Sequence, residues 1–177
     1  MNAFGGSAAV ASIRVVKERS EGLAPGAAEL YAHGPVLLAA ARAMTVDDAD
    51  AQDLVQATFE IAIRSLASLR DPAAMRFWLL RIEVREAMRI TRRMRRFVQF
   101  DVHVREIPRT DPAMADRVAL KQALATLSVR VRAAIALHHL AGLSVRQTAE
   151  ALGVSENTVK SELKVGLARL REELTDD

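Results

Sequence analysis

Apolar residues recur at three- and four-residue spacing along most of this chain, a period that predicts helices. Residues 30–44, rich in Ala and Leu, predict a first helix, with Gly34 and Pro35 marking a break or a late first turn. A second is expected over 49–69, where Leu54, Ala57, Thr58, Ile61 and Leu66 mark the buried side, and Asp71-Pro72 ends the connection that follows. A third, over 73–97, opens with Phe77, Trp78, Leu79, Leu80 and Ile82. The period fails over 98–111, a stretch punctuated by Pro108 and followed by Pro112. Val102, Val104 and Ile107 there suit a short strand, but an isolated strand has nothing to pair with in a helical chain. The helical period returns from Pro112, through Val118, Leu120 and Leu124, then Val131, Ile135 and Leu140, to a last stripe of Val159, Leu163, Leu167, Leu170 and Leu174. The expected fold is all-α, two small helical domains joined by a flexible linker. Its expected parts are a mobile tail over 1–24, a helical domain over 25–97, the linker over 98–112 and a second helical domain over 113–177.

The most specific punctuation lies in LAGLSVRQTAEALGVSENTVKSEL, residues 140–163. Ser144 with Gln147 three residues on has the form of a capping box, Gly153 stops the helix, and Ser155 can cap a second one with Glu156 in its first turn. Val145, Ala149 and Leu152 give the first helix its apolar stripe. On the second, Val159, Leu163 and Leu167 gather on one side and Asn157, Lys160, Ser161 and Lys164 on another. Any amphipathic surface helix has a polar face; two capped helices, a glycine turn and the apolar Val154 beneath it together predict a helix-turn-helix that reads a major groove.

Length and an apolar fraction of 50% suit one ordinary domain or two small ones, and there is no cysteine for disulfides or thiolate metal sites. No apolar run approaches the roughly 20 residues that span a bilayer, and the first residues lack the form of a secretory signal, so a cytoplasmic protein without membrane insertion is expected. The net charge of +3 is unevenly spread. Arg85, Arg89, Arg92, Arg93, Arg95 and Arg96 crowd REAMRITRRMRR against the one acid Glu86, and so many cations on about three helical turns repel one another unless a polyanion or acidic partner neutralises them. The acids Asp47, Asp48, Asp50 and Asp53 suit a helix start. No catalytic, metal or cofactor set is visible: His138 and His139 are adjacent rather than one turn apart, and capping explains Ser144 and Ser155. No small-molecule substrate is expected.

Two separated segments resemble one family, the short bacterial sigma factors of the extracytoplasmic-function group within the sigma-70 family, which keep only regions 2 and 4. DAQDLVQATFEIAIRSL, residues 50–66, is similar to the second-region helix that docks on the polymerase clamp, and FWLLRI, 77–82, to the segment leading into promoter melting. Residues 127–174 follow region 4 nearly throughout. The resemblance covers about four fifths of the chain, and the order of the segments is more diagnostic than the helix-turn-helix, which also occurs in many response regulators.

The resemblance implies a protein without catalysis of its own that binds core RNA polymerase, recognises the −35 and −10 promoter elements and promotes DNA opening. It carries Asp53, Leu54, Val55, Gln56, Phe59 and Ile63 to the polymerase side, divided between core and contact. Arg146, Gln147, Asn157, Lys160, Ser161 and Lys164 would meet the −35 duplex. Leu69, Arg70, Trp78, Arg81, Arg85, Arg89, Arg92 and Arg93 would meet the −10 element and its opened strand. An anti-sigma factor is a candidate further partner, and nucleoid association during initiation is expected. The chain departs from the family at Arg85 and Arg89, where amide or acidic groups are usual near the flipped base, at Glu162, where a basic residue is common, and at Val165-Gly166. A donor-only guanidinium favours phosphate or a guanine-like acceptor edge. Those departures leave an alternative, a sigma-like decoy that binds an anti-sigma factor or polymerase without initiating; an ordinary two-domain DNA-binding regulator is a third reading and an enzyme a distant fourth. The linker also allows the domains to pack together when free, masking both DNA surfaces, and to separate on polymerase.

Overall fold

The computed structural model describes residues 27–97 and 112–175; the expected tail, the linker up to residue 111 and the candidate strand around Val102 lie outside the described residues. Helix α1, Ala27–Ala32, and helix α2, Gly34–Met44, divide the first expected helix at His33, with Pro35 placed in the first turn of α2 where its missing N–H costs nothing. Beyond α2, Thr45 turns back on Ala41, to whose carbonyl its N–H and its hydroxyl both donate at 2.9 Å. Helix α3, Asp48–Ser65, starts at Asp47, whose carboxylate accepts the Asp50 N–H at 2.7 Å, and has Asp48 and Asp50 in its first turn, as the positive end of a helix favours. It stops short of the expected residue 69. The 3₁₀ turn Leu66–Ser68 replaces its last turn, Asp71 caps a second 3₁₀ turn, Pro72–Ala74, and helix α4, Met75–Phe97, follows.

The second half opens with helix α5, Pro112–Ala125, and helix α6, Val129–Ile135, capped by Ser128. Winding then loosens into a π-helical turn, Ala136–Leu140, closed by the Ala141 N–H donating to the Ala136 carbonyl at 2.8 Å. Helix α7, Val145–Leu152, and helix α8, Glu156–Thr175, complete the chain.

Leu30, Leu37, Leu54, Leu79 and Leu80 are fully buried where α2, α3 and α4 pack together. A second cluster of Ala134, Ile135, Ala149, Val159, Leu163 and Leu170 joins α6 and α7 to α8. The two halves are not apart. Ala133, Ala136, Leu137, Ala141, Leu143 and Ala151 of the second half belong to the core of the first, with α6 and the π turn against α2 and with α7 against α4.

Two core positions break the apolar rule. Glu83 of α4 is wholly buried, neither carboxylate oxygen has a hydrogen-bond partner among the described residues, and burial pushes its pKa well above the ordinary glutamate value of 4.5. The folded state therefore holds a proton that the unfolded chain releases, so stability contributed by this site falls as pH rises past about 4.5 and is lowest once the folded group has ionised. At Gly166 of α8, a Cβ would stand 2.6 Å from Val131 Cγ1 and 2.8 Å from Ile135 Cδ1 of α6. The glycine that costs the helix propensity is what lets α8 approach α6.

Two outcomes are expected. Glu83→Gln flattens the part of the pH–stability profile above about 4.5 that the wild type shows, and Glu83→Leu raises stability at neutral pH by about 1–3 kcal/mol, the usual cost of an unpartnered buried polar group; both are read by denaturant titration across pH. Gly166→Ala lowers stability by about 1 kcal/mol despite its better helix propensity, because overpacking costs about 1–3 kcal/mol against a gain of about 1; a raised melting temperature would contradict the close approach.

Candidate nucleic-acid interface

The helix-turn-helix is built from local bonds that its sequence encodes. Ser144 Oγ accepts the Gln147 N–H at 3.1 Å and Gln147 Oε1 accepts the Ser144 N–H at 3.0 Å, so both halves of the capping box are closed. Gly153 takes the left-handed conformation at φ 68°, and the N–H groups of Gly153 and Val154 return to the carbonyls of Glu150 and Ala149 at 3.3 and 3.0 Å, a Schellman ending. Ser155 then caps α8, its Oγ accepting the Thr158 N–H at 3.1 Å. The turn angle of the motif is thus held by backbone bonds, and Val159 and Leu163 seat α8 in the second core.

On the opposite side of α8, Asn157, Lys160, Ser161 and Lys164 are all exposed, forming one continuous donor-bearing face. Arg146 is exposed on the first turn of α7, whereas Gln147 is half-buried with its amide oxygen engaged in the cap. Glu162 does not belong to the polar face. It is buried against α6, where Arg130 Nε stands 2.5 Å from Oε1 in an ion pair that lacks hydrogen-bond alignment. The acid that sequence comparison set against phosphate binding therefore faces inward.

Helix α4 carries the second polar surface. Arg85, Arg89, Arg92 and Arg93 are exposed on it, and Arg70 is exposed ahead of it, while Leu69, Trp78 and Arg81 are half-buried. Arg89 grips Glu86 with two hydrogen bonds, Nε to Oε2 at 2.7 Å and Nη2 to Oε1 at 2.5 Å. That pairing holds the Glu86 carboxyl below its ordinary pKa against the opposing effect of burial, and presents the guanidinium in a fixed orientation. Arg92 Nε donates to the Met88 carbonyl at 3.2 Å. Arg81 points elsewhere: its Nη1 pairs with Glu150 of α7 at 3.3 Å.

Of the residues expected on the polymerase side, Leu54, Val55 and Phe59 are buried, and Phe59 lies against the Tyr31 ring at a centroid distance of 5.0 Å. Asp53 and Gln56 are exposed on α3 and Ile63 is half-buried, so this helix offers a polar outer face over an apolar inner one. Packing of the two halves does not bury the polar faces of α8 and α4, contrary to the expected masking; what it engages is Arg81. Of the residues that join the halves, Arg76, Arg132, Lys121 and Glu150 were not singled out in the sequence and Asp48 only as a helix-start acid, because no local spacing marks a pair separated by 65 or more positions.

Among the described residues no cluster of His, Asp and Glu is suited to a metal, and no described helix is long and apolar enough to cross a membrane. The His138 and His139 rings meet edge to face at 4.7 Å, and the Nδ1–H of His138 donates to the Leu143 carbonyl at 2.7 Å, a structural bond ahead of the motif.

Comparison with known proteins finds matches to two stretches of the chain. The family profile described as "Sigma-70 region 2" matches residues 30–97, and "Sigma-70, region 4" matches residues 117–170. The RNA polymerase sigma-E factor of Streptomyces coelicolor is 34% identical over 140 residues, covering 78% of this chain and 79% of that protein. The ECF RNA polymerase sigma factor SigM of Mycobacterium tuberculosis is 34% identical over 122 residues, 68% of this chain and 62% of its own. Among solved structures, the sigma factor RpoE in complex with the anti-sigma factor NepR, from Bartonella quintana, superposes with a TM-score of 0.73 at 29% identity, covering 84% of this chain and 96% of that one. CnrH in complex with the cytosolic domain of CnrY gives 0.65 at 27% identity, covering 94% and 99%. With both halves matched in order, and with relatives aligned across most of its length, the chain belongs to the sigma-70 family, in the extracytoplasmic-function group of RNA polymerase sigma factors.

Proposed function

We propose that this sigma factor divides promoter recognition between the exposed faces of α8 and α4. The observation that carries the reading is the exposed row Asn157, Lys160, Ser161 and Lys164 on a helix fixed from behind by Val159 and Leu163, which has the size and donor content a major groove accepts. Arg146 reaches phosphate beside it, and Gln147 contributes by rigidifying the cap through which α7 and its backbone N–H groups approach the duplex. The −10 element and its opened strand fall to Leu69, Arg70, Trp78, Arg81, Arg85, Arg89, Arg92 and Arg93, where aromatic and guanidinium planes stack on bases and pair with phosphates. Arg89, held by Glu86, favours an acceptor edge such as that of guanine. Asp53, Gln56 and Ile63 form the polymerase contact on α3, with Leu54, Val55 and Phe59 acting from within by holding that helix in place.

The working parts are a region 2 domain over 25–97 and a region 4 domain over 113–177 joined by the 98–112 linker. The protein acts in the cytoplasm at the nucleoid as a regulator of transcription without an enzymatic step of its own, and an anti-sigma factor, as in the RpoE–NepR complex, is its candidate inhibitor. The inward-facing Glu162 removes one of the reasons for a decoy.

Run-off transcription from a genomic fragment library, with core RNA polymerase and with or without this protein, tests the reading. New transcripts sharing two spaced upstream elements are expected; polymerase binding without any transcript would favour the decoy. Lys164→Ala is expected to weaken binding of polymerase holoenzyme to such a promoter and to reduce the slope of log affinity against log salt by about 0.9, the share of one phosphate contact. Arg89→Asn is expected to change base preference at a single −10 position by about 1–3 kcal/mol, measured on a randomised promoter pool, and to leave the −35 preference unaltered.

A further inference from the structure

Helix α4 carries Arg85, Arg89 and Arg93 at four-residue spacing on its exposed side, a row in which like charges repel. Glu86 changes the middle member of that row. It belongs to the buried side of the helix with Leu79, Glu83 and Ala87, and its side chain is 9% exposed against 61% for Arg89. Its two oxygens accept from Nε and Nη2 of Arg89 at 2.7 and 2.5 Å. A carboxylate packed into a helix face has few rotamers open to it, so it serves as a fixed post, and a guanidinium held to it by two parallel bonds loses its own freedom. Two of the five guanidinium donors are taken in this way. Both hydrogens of Nη1 and one of Nη2 are left, and they form a second donor fork along the outer edge of the group. Arg92 is held differently, by its Nε alone and to the Met88 carbonyl, which leaves its charge uncompensated.

We propose that Glu86 is a positioning residue for promoter specificity: by binding the Nε–Nη2 edge of Arg89 it aims the Nη1–Nη2 edge at a base and withholds this arginine from phosphate. The proposal rests on the reading of Arg89 as a −10 contact. The geometric part follows from the fork, whose two parallel donors match the O6 and N7 acceptors of one guanine, with the long side chain already ordered before the base arrives. The electrostatic part follows from the pairing, because Glu86 and Arg89 together carry no net charge. The same bonds hold the Glu86 carboxyl below its ordinary pKa although burial opposes this, so the pair stays ionised at neutral pH. A neutral pair adds little to the counterion release that drives phosphate binding. Among the described residues no acid clamps Arg85 or Arg93, which keep that task. One helix thereby sorts its arginines, Arg89 for a base edge and its neighbours for the backbone.

Core polymerase reconstituted with each full-length variant reads base preference on a promoter pool randomised over the −10 element, and titration of one selected promoter across salt reads charge. Arg89→Ala should abolish a guanine preference at one position. Glu86→Ala should weaken that same preference by about two- to tenfold, the cost of ordering one long side chain. It should also steepen the slope of log affinity against log salt by about 0.7–0.9, as the freed cation takes a phosphate. Glu86→Gln, which keeps one acceptor and loses the charge, should steepen the slope in the same way while keeping part of the preference. A role of Glu86 in folding alone would lower affinity on every sequence without a steeper slope. In the Arg89→Ala background, Glu86→Ala should leave base preference where Arg89→Ala put it. A preference or a slope unchanged in Glu86→Ala, or a base-specific effect of Glu86→Ala that survives without Arg89, overturns the positioning role. Arg89→Ala without effect on any −10 preference would instead count against the reading of Arg89 as a −10 contact.

Discussion

The structure depends on α4 being dry along one face and cationic along another. Leu79, Leu80, Val84 and Ala87 bury that helix, which packs on α2 and α3 and also meets α6 and α7 from the second half. Farther along, Ile90 and Met94 are exposed, so the helix outgrows its packing partners as its arginines accumulate. The core thus anchors the first turns, and farther along Arg89, Arg92 and Arg93 are exposed. Both faces proposed to meet DNA inherit their positions from this anchoring: the arginines directly, and the helix-turn-helix through α7.

Acidic side chains manage the cations. Glu86 fixes Arg89, Glu150 occupies Arg81, Asp48 meets both Arg42 and Lys121, and Glu162 meets Arg130. A near-neutral total charge is compatible with basic faces, because Glu86, Glu150, Asp48 and Glu162 are engaged by cations elsewhere while Lys160, Lys164, Arg85 and Arg93 are exposed. The position of Glu162 shows why a residue's charge alone is a poor guide to its face. One step along the helix from Ser161, it turns inward to α6.

What could be read from the residues was what is determined locally. The capping box at Ser144, the glycine stop at Gly153 and the cap at Ser155 involve bonds between residues three to five apart, and each stands where the spacing put it. The helical stripes likewise gave the all-α fold and part of each buried side: Leu54 and Thr58 on α3 and Val159, Leu163 and Leu170 on α8 are buried, whereas Ala57, Ile61 and Leu66 are half-buried and Leu174 is exposed. Three things were not legible. The division of Leu54, Val55, Gln56 and Phe59 between core and surface depends on which neighbours cover α3. The meaning of Gly166 depends on Val131 and Ile135, more than thirty positions away, and the seam between the halves is made by pairs farther apart still. Glu83 had a visible signal, an acid set in the apolar run LLRIEV, but a pattern cannot say whether a partner waits for it.

The π turn has a consequence for how this segment tolerates change. A π turn holds one residue more than an α turn, and here the surplus residue sets where the Ala141 carbonyl emerges to meet Arg76 and where the chain enters the motif. Deleting one residue of Ala136–Leu140 would let regular α winding close over the gap, since the lost residue and the tighter turn compensate, so the helix would keep its phase while losing the local bulge. Substitutions in this segment are judged by how they pack, but its length is a constraint of a different kind: the surplus residue, rather than its identity, is what brings the Ala141 carbonyl out to Arg76.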